Sequence, residues 1–144
     1  VGDLEEVSTI KKEVLGMYPE DLKYSKDHTW VRVEDDEGTI GITDFAQESL
    51  GDIVYVDVPE EEDEFEAGDE MAEVESTKAT SSVIAPVSGT VIEVNEDIED
   101  SPDTINESPY GDGWIVRLKL SDPSEIKVLM DAAAYQKFLE EEGE

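Results

Sequence analysis

Apolar and polar residues alternate on both sides of one short stretch, Ser76-Thr77-Lys78-Ala79. Met71 to Ser76 alternates upstream. Thr80 to Ala85 follows downstream, is rich in β-branched residues and stops at Pro86. Two period-two segments joined by so few residues predict a β-hairpin with Lys78 at its tip. Near the start of the chain the period is helical instead. Leu4, Val7, Ile10, Val14 and Leu15 share a face behind Asp3 and Glu6, which predicts a helix over residues 3–15, ended by Gly16 and Pro19. Residues 1–23 therefore read as a helical extension with a polar approach through Asp21 and Lys23, and residues 24–144 as the body of the molecule.

Within that body the period is two from Thr29. Val31 and Val33 alternate with Trp30 and Arg32, Glu34 to Gly38 reads as a turn, and Thr39 to Ile42 returns as a strand. Thr43 or Asp44 caps one or two helical turns that Gly51 stops, and Ile53 to Val58 forms a further strand. Ser88-Gly89 turns into a strand from Thr90 to Asn95, an echo of the segment from Gly51 to Asp57 that suggests a quasi-twofold arrangement. Residues 97–113, with two prolines and many turn formers, read as a long surface connection. Trp114 to Leu120 is the clearest alternating strand. Asp122 and Pro123 then start one bent or two successive helices whose apolar positions are Ile126, Leu129, Met130, Ala133, Ala134, Phe138 and Leu139. The predicted class is mainly β: two small antiparallel sheets packed face to face, with an N-terminal helix and C-terminal helices outside.

Charge narrows the function. The 144 residues carry 40 Asp and Glu against 10 Lys and Arg, a formal net charge of -30. Such a surface repels phosphate backbones and anionic lipids, which argues against nucleic-acid and membrane partners. Either a salt-rich cytoplasm or a plain need for solubility suits it. The run Glu60 to Glu64 lacks the glycine and ligand spacing of a calcium loop and reads as a solvated turn. The absence of cysteine excludes a disulfide, a thiolate metal site and a cysteine nucleophile, and the single histidine, His28, argues against a zinc site or a histidine relay. Any sulfur chemistry must come from an attached group. The composition points to a platform rather than a catalyst.

Six ordered blocks make the platform more specific: His28-Thr29-Trp30, Gly41 to Gln47, Leu50 to Val54, Val74 to Ala79, Ala85 to Gly89 and Asp112-Gly113-Trp114. In these the chain resembles the H protein family of the glycine cleavage system, from about Tyr24 to the C-terminal helix. The resemblance implies a lipoyl/biotinyl-like barrel-sandwich hybrid, and a non-enzymatic carrier with lipoate joined by an amide to Lys78. It makes Glu75, Ser76, Thr77 and Ala79 the recognition hairpin and His28 a candidate for positioning the arm. It further implies that an aminomethyl group from glycine is shuttled between glycine decarboxylase, aminomethyltransferase and dihydrolipoyl dehydrogenase, after a lipoylating enzyme has loaded the lysine. A monomer in the cytoplasm, or in the mitochondrial matrix of a eukaryote, goes with that role.

Biotin carriers share the hairpin but flank their lysine with methionines, where this chain has Thr77 and Ala79. Lipoyl domains of 2-oxoacid dehydrogenases lack the His-x-Trp segment. Two positions depart from the H protein pattern. An acidic residue usually follows the histidine and another stands four positions after the lysine, where this chain has Thr29 and Ser82. Those acids are implicated in holding an amine-loaded arm through charge pairing. Their absence keeps a second reading open: an H-like lipoate-binding protein carrying sulfur intermediates in a heterodisulfide-reductase-like oxidation pathway.

Overall fold

In the computed structural model, residues 19–142 are described. The helix expected over residues 3–15 lies outside them. Two antiparallel sheets form the body. The larger has six strands: β1 (Lys23–Tyr24), β2 (Thr29–Glu34), β3 (Glu37–Ile42), β9 (Val116–Leu120), β8 (Gly89–Val94) and β5 (Glu64–Phe65), in that spatial order. The smaller has three: β4 (Ile53–Asp57), β6 (Glu70–Ser76) and β7 (Thr80–Ile84), with β6 central. The fold is mostly β, with open rather than closed sheets. The echoed segments Gly51 to Asp57 and Gly89 to Asn95 supply β4 and β8, one strand to each sheet.

The inward faces of both sheets meet in one core. Val31, Ile40, Val91, Val116 and Leu118 come from the larger sheet and Ile53, Val56, Val74 and Val83 from the smaller, all buried. Burying these side chains supplies the main favourable term in folding, at roughly 25 cal/mol per Å² of apolar surface.

A second core lies on the other side of β2. Trp30 and Val31 are adjacent in sequence and both fully buried, so that strand is covered on both faces. Val31 belongs to the main core. Trp30 packs with Leu22, Tyr24, Ala132 and Tyr135, beneath the C-terminal helix α4 (Ala132–Glu142). The alternation expected for β2 fails at this end because a helix replaces solvent. Gly41 sits opposite Trp30, and a methyl group there would lie 2.7 Å from the indole ring. The polar approach expected through Asp21 and Lys23 is likewise tied into the body. Leu22 is in the second core, β1 pairs with β2, and Tyr24 exchanges backbone hydrogen bonds with Met130.

Three further expectations are corrected. The turn after β2 is tighter than Glu34 to Gly38, since Glu34 already pairs with Glu37 and Asp35 takes the positive φ. Residues 97–113 run over the surface but are not only a turn-rich connection: they hold α2 (Asp97–Asp100) and α3 (Thr104–Glu107), each inserting one fully buried isoleucine, Ile98 and Ile105. The apolar face of α4 is set by Ala132, Tyr135, Phe138 and Leu139, whereas Ala133 and Ala134 are exposed. The two successive helices do appear, the first being a 3₁₀ helix (Pro123–Val128) capped by Asp122, whose carboxylate accepts from Ser124 N–H.

Gly89 matters for close approach rather than for its turn. A Cβ at this position would stand 2.4 Å from the Lys119 carbonyl oxygen in the neighbouring strand. Val94 is only partly buried, and Val91 is the core residue of β8. Gly89→Ala is expected to cost about 1–3 kcal/mol by forcing β8 from β9, read as a lower urea midpoint. Val91→Ala should cost about 2 kcal/mol or more and Val94→Ala distinctly less.

Candidate functional site

Lys78 stands at the tip of the hairpin formed by β6 and β7, as the alternation predicts. The tip is closed by backbone and side chain together. Ser76 N–H donates to the Ala79 carbonyl at 2.7 Å. The Ser76 hydroxyl oxygen, buried, accepts from the N–H groups of Lys78 (3.3 Å) and Ala79 (3.0 Å). None of Thr77, Lys78 or Ala79 takes a positive φ, so the tip needs neither glycine nor asparagine. Ser76 is therefore a structural clamp, while Thr77, Lys78, Ala79 and Glu75 are exposed.

The tip rests on a second loop. Thr77 N–H donates to the Asp52 carbonyl at 3.1 Å, and the aliphatic stem of Lys78 lies over Gly51. Gly51 is the C-cap of α1 (Asp44–Leu50) at φ 82, a conformation that suits glycine. Asn106 of α3 fastens this loop. Its amide nitrogen donates to the Gly51 carbonyl (2.8 Å) and to Gln47 Oε1 (2.9 Å), and its oxygen accepts from Ile53 N–H (2.9 Å). One side chain thus ties α1, the loop and β4 to one another. Asn106 gave no signal in the sequence, because periodicity locates apolar faces and is blind to an amide whose partners, two backbone groups and the Gln47 side chain, lie far along the chain.

Lys78 takes part in neither ion pair found among the described residues, which are Arg32 with Asp21 and Arg117 with Glu93. It is also the sole Lys or Arg between Arg32 and Arg117. The site thus offers a surface amine without an ion-pair partner among the described residues, in acidic surroundings. An amine of this kind fits a carboxylic cofactor joined by an amide, and the hydrogen bonds that hold its hairpin tip are made by Ser76, Thr77 and Asn106 rather than by the amine itself.

His28 is placed at the other end of α1. Its ring lies 4.7 Å, centroid to centroid, from Phe45 in the first turn of that helix, while Gly51 at the last turn carries Lys78. Gly51 lies six residue steps beyond Phe45, about 9 Å of helical rise. His28 Nδ1 is 2.8 Å from the Tyr135 hydroxyl, which is 2.8 Å from Thr43 Oγ1, the N-cap of α1. Burial lowers the His28 pKa below its ordinary value, against a smaller opposing effect of Asp27. A chain in which Thr43 donates to Tyr135 and Tyr135 to His28 uses Nδ1 as an acceptor, which a neutral imidazole provides.

The two departures from the acidic pattern have different surroundings. Thr29 is buried, bonded to Ser25 Oγ at 2.6 Å and donating to the Ile84 carbonyl. Ser82 is exposed on β7 and donates to Glu70 Oε1 at 2.8 Å, so a carboxylate from β6 stands beside that position.

Two expectations follow. Asn106→Ala orphans the Gly51 carbonyl and the Ile53 N–H, and should lower unfolding free energy by about 1–3 kcal/mol in chemical denaturation. For His28 the folded pKa lies below the unfolded one, so the unfolded chain binds more protons between them. The His28 contribution is full above about pH 6.5 and is lost as pH falls toward the lowered value. Thermal unfolding of wild type and His28→Asn across that range should show the extra acid-side loss in wild type alone.

Comparison with known proteins places this geometry. A family profile described as Glycine cleavage H-protein matches residues 22–142. A glycine cleavage system H protein of Carboxydothermus hydrogenoformans is 51% identical over 130 residues, covering 90% of this chain and 100% of its own. One from Parvibaculum lavamentivorans is 56% identical over 120 residues, covering 83% and 96%. The crystal structure of a glycine cleavage system H protein from Mycobacterium marinum superposes with a TM-score of 0.77 at 36% identity, covering 88% of this chain and 99% of its own. The chain belongs to the glycine cleavage H-protein family.

Proposed function

We propose that this protein is the lipoyl carrier of a glycine cleavage system, with lipoate joined by an amide to Lys78. The observation that carries the reading is the surface lysine at a short, side-chain-clamped hairpin tip, resting on Gly51 and Asp52. The ammonium first gives up one proton to become the free amine, and acylation by an activated carboxylate then exchanges one N–H for an amide N–C bond, with loss of the activating group and a second proton. The tip loses its positive charge, and the lysine stem becomes the base of a long uncharged arm. Bound lipoate supplies the reversible disulfide and thiol chemistry that this cysteine-free chain lacks.

The chain's own contribution is placement. The clamp at Ser76 and the clasp at Asn106 fix where the arm starts. His28, at the far end of α1, is a neutral polar group toward which the arm can lie. The arm would visit a glycine decarboxylase, an aminomethyltransferase and a dihydrolipoyl dehydrogenase in turn, carrying an aminomethyl group between the first two. The acidic surface favours basic docking patches on those enzymes. The matched relatives are glycine cleavage H proteins, which favours this role over the sulfur-carrying alternative. Among the described residues, no helix is long and apolar enough to cross a membrane.

Incubation with a lipoate–protein ligase, lipoate and ATP should add one lipoyl mass to the peptide containing Lys78. Lys78→Arg should fold like wild type and gain no mass, because a guanidinium stays protonated and forms no such amide. The lipoylated protein should then support glycine-dependent CO₂ release with the partner enzymes. Absence of the lipoyl mass, or absence of CO₂ release beside a working H protein control, would overturn the proposal.

A further inference from the structure

Beside the lysine hairpin, β4 shows an apolar pair that the fold does not use. Ile53 and Val56 are buried in the core, and between them the register against β6 shifts, so that Val54 is an extra residue. A regular strand would turn one of Val54 and Tyr55 inward. The bulge turns both out, and they are 52% and 55% exposed. Bulges of this kind re-aim side chains and are features rather than defects.

The pair lies next to the tip. Ile53 pairs with Ser76 and Tyr55 with Glu75, which itself pairs with Thr80; the following row is Asp57, Glu73 and Ser82. All members of the Tyr55 and Asp57 rows are exposed. The surface below Lys78 is therefore an apolar pair set among carboxylates. On the opposite flank, β7 offers only Thr80, Ser81 and Ser82, with little apolar area.

We propose that Val54 and Tyr55, with Glu73 and Glu75, form the docking surface for the enzyme that acylates Lys78, whose matching surface is an apolar socket rimmed by Lys or Arg. This rests on the reading of Lys78 as the lipoylation site. Acylation is the one step in which the amine itself enters an active site. The enzyme must come within the length of one lysine side chain of the tip, so it necessarily lies against the adjoining rows. Partners that act at the end of a loaded arm are under no such constraint. A second copy of this chain fits poorly, because a protein of net charge -30 repels itself and offers few cations to meet these carboxylates. Exposed aromatic and aliphatic side chains ringed by charge are the usual form of an interface anchor.

The test uses the full-length unmodified chain, purified lipoate–protein ligase, lipoate and ATP. Replacing Val54→Ser and Tyr55→Ser together should raise KM for the chain about tenfold or more while leaving kcat nearly unchanged. Tyr55→Phe alone should keep near-wild-type KM. The melting temperature and the rate at which acetic anhydride acylates Lys78 should stay the same, which separates lost docking from a distorted tip. An unchanged KM in the double variant, with wild type modified normally, would overturn the proposal. So would a wild-type dimer that the double variant dissolves, since the patch would then belong to a second copy. Wild type left unmodified at Lys78 would instead overturn the lipoyl reading and this proposal with it.

Discussion

The site depends on a small polar clasp. Thr77 N–H bonds to the Asp52 carbonyl, and Asn106 holds the loop that presents that carbonyl. A hairpin tip by itself is among the more mobile parts of a sheet, because one end of its ladder has no further pairing. Here the tip leans on α1, and α1 is pinned at its C-terminal end by the amide of Asn106 through Gly51 and Gln47. The bonds are short-range in space and between neutral groups, so a net charge of -30 does not strain them and changes in salt leave them intact.

The clasp ties the lysine to the two cores. Leu50 at the end of α1 packs into the main core with Ile53 and Ile105, which stand just beyond the clasped loop and just before Asn106. Phe45 at the start of α1 packs on the second core, where His28, Tyr135 and Phe138 gather. The seven-residue helix thus spans from the lysine to the single histidine, braced at one end by Asn106 and at the other by Thr43 and Tyr135. A carrier needs such bracing: the cofactor supplies reach and reactivity, and the protein supplies a fixed origin for the arm.

The lysine hairpin was legible in the sequence because both its strands have one face in the core and one in water, and period two reports that arrangement directly. The caps of α1 were legible for a similar reason, since Thr43 and Gly51 act within a few residues of themselves. Legibility failed where distant parts of the chain meet. Trp30 broke the alternation because α4, a hundred residues later, covers it. Residues 97–113 look polar apart from isolated isoleucines, yet Ile98 and Ile105 anchor α2 and α3. The face of α4 was legible at Phe138 and Leu139 but not in its first turn, where Ala132 and Tyr135 replace Ala133 and Ala134 and Tyr135 meets Tyr24, their rings stacked 4.8 Å apart. Val54 and Tyr55 read as part of a plain strand, and only the register against β6 reveals the bulge that turns both outward.

Native-state amide hydrogen exchange tests most directly whether the tip is held rather than merely exposed. The Thr77 and Ile53 amides, bonded to the Asp52 carbonyl and to Asn106 Oδ1, should be protected to the level of β6, and both should lose that protection together in Asn106→Ala. Exchange of Thr77 at the rate of an unstructured peptide in the wild-type protein would contradict the clasp, and with it the account of how Lys78 is presented.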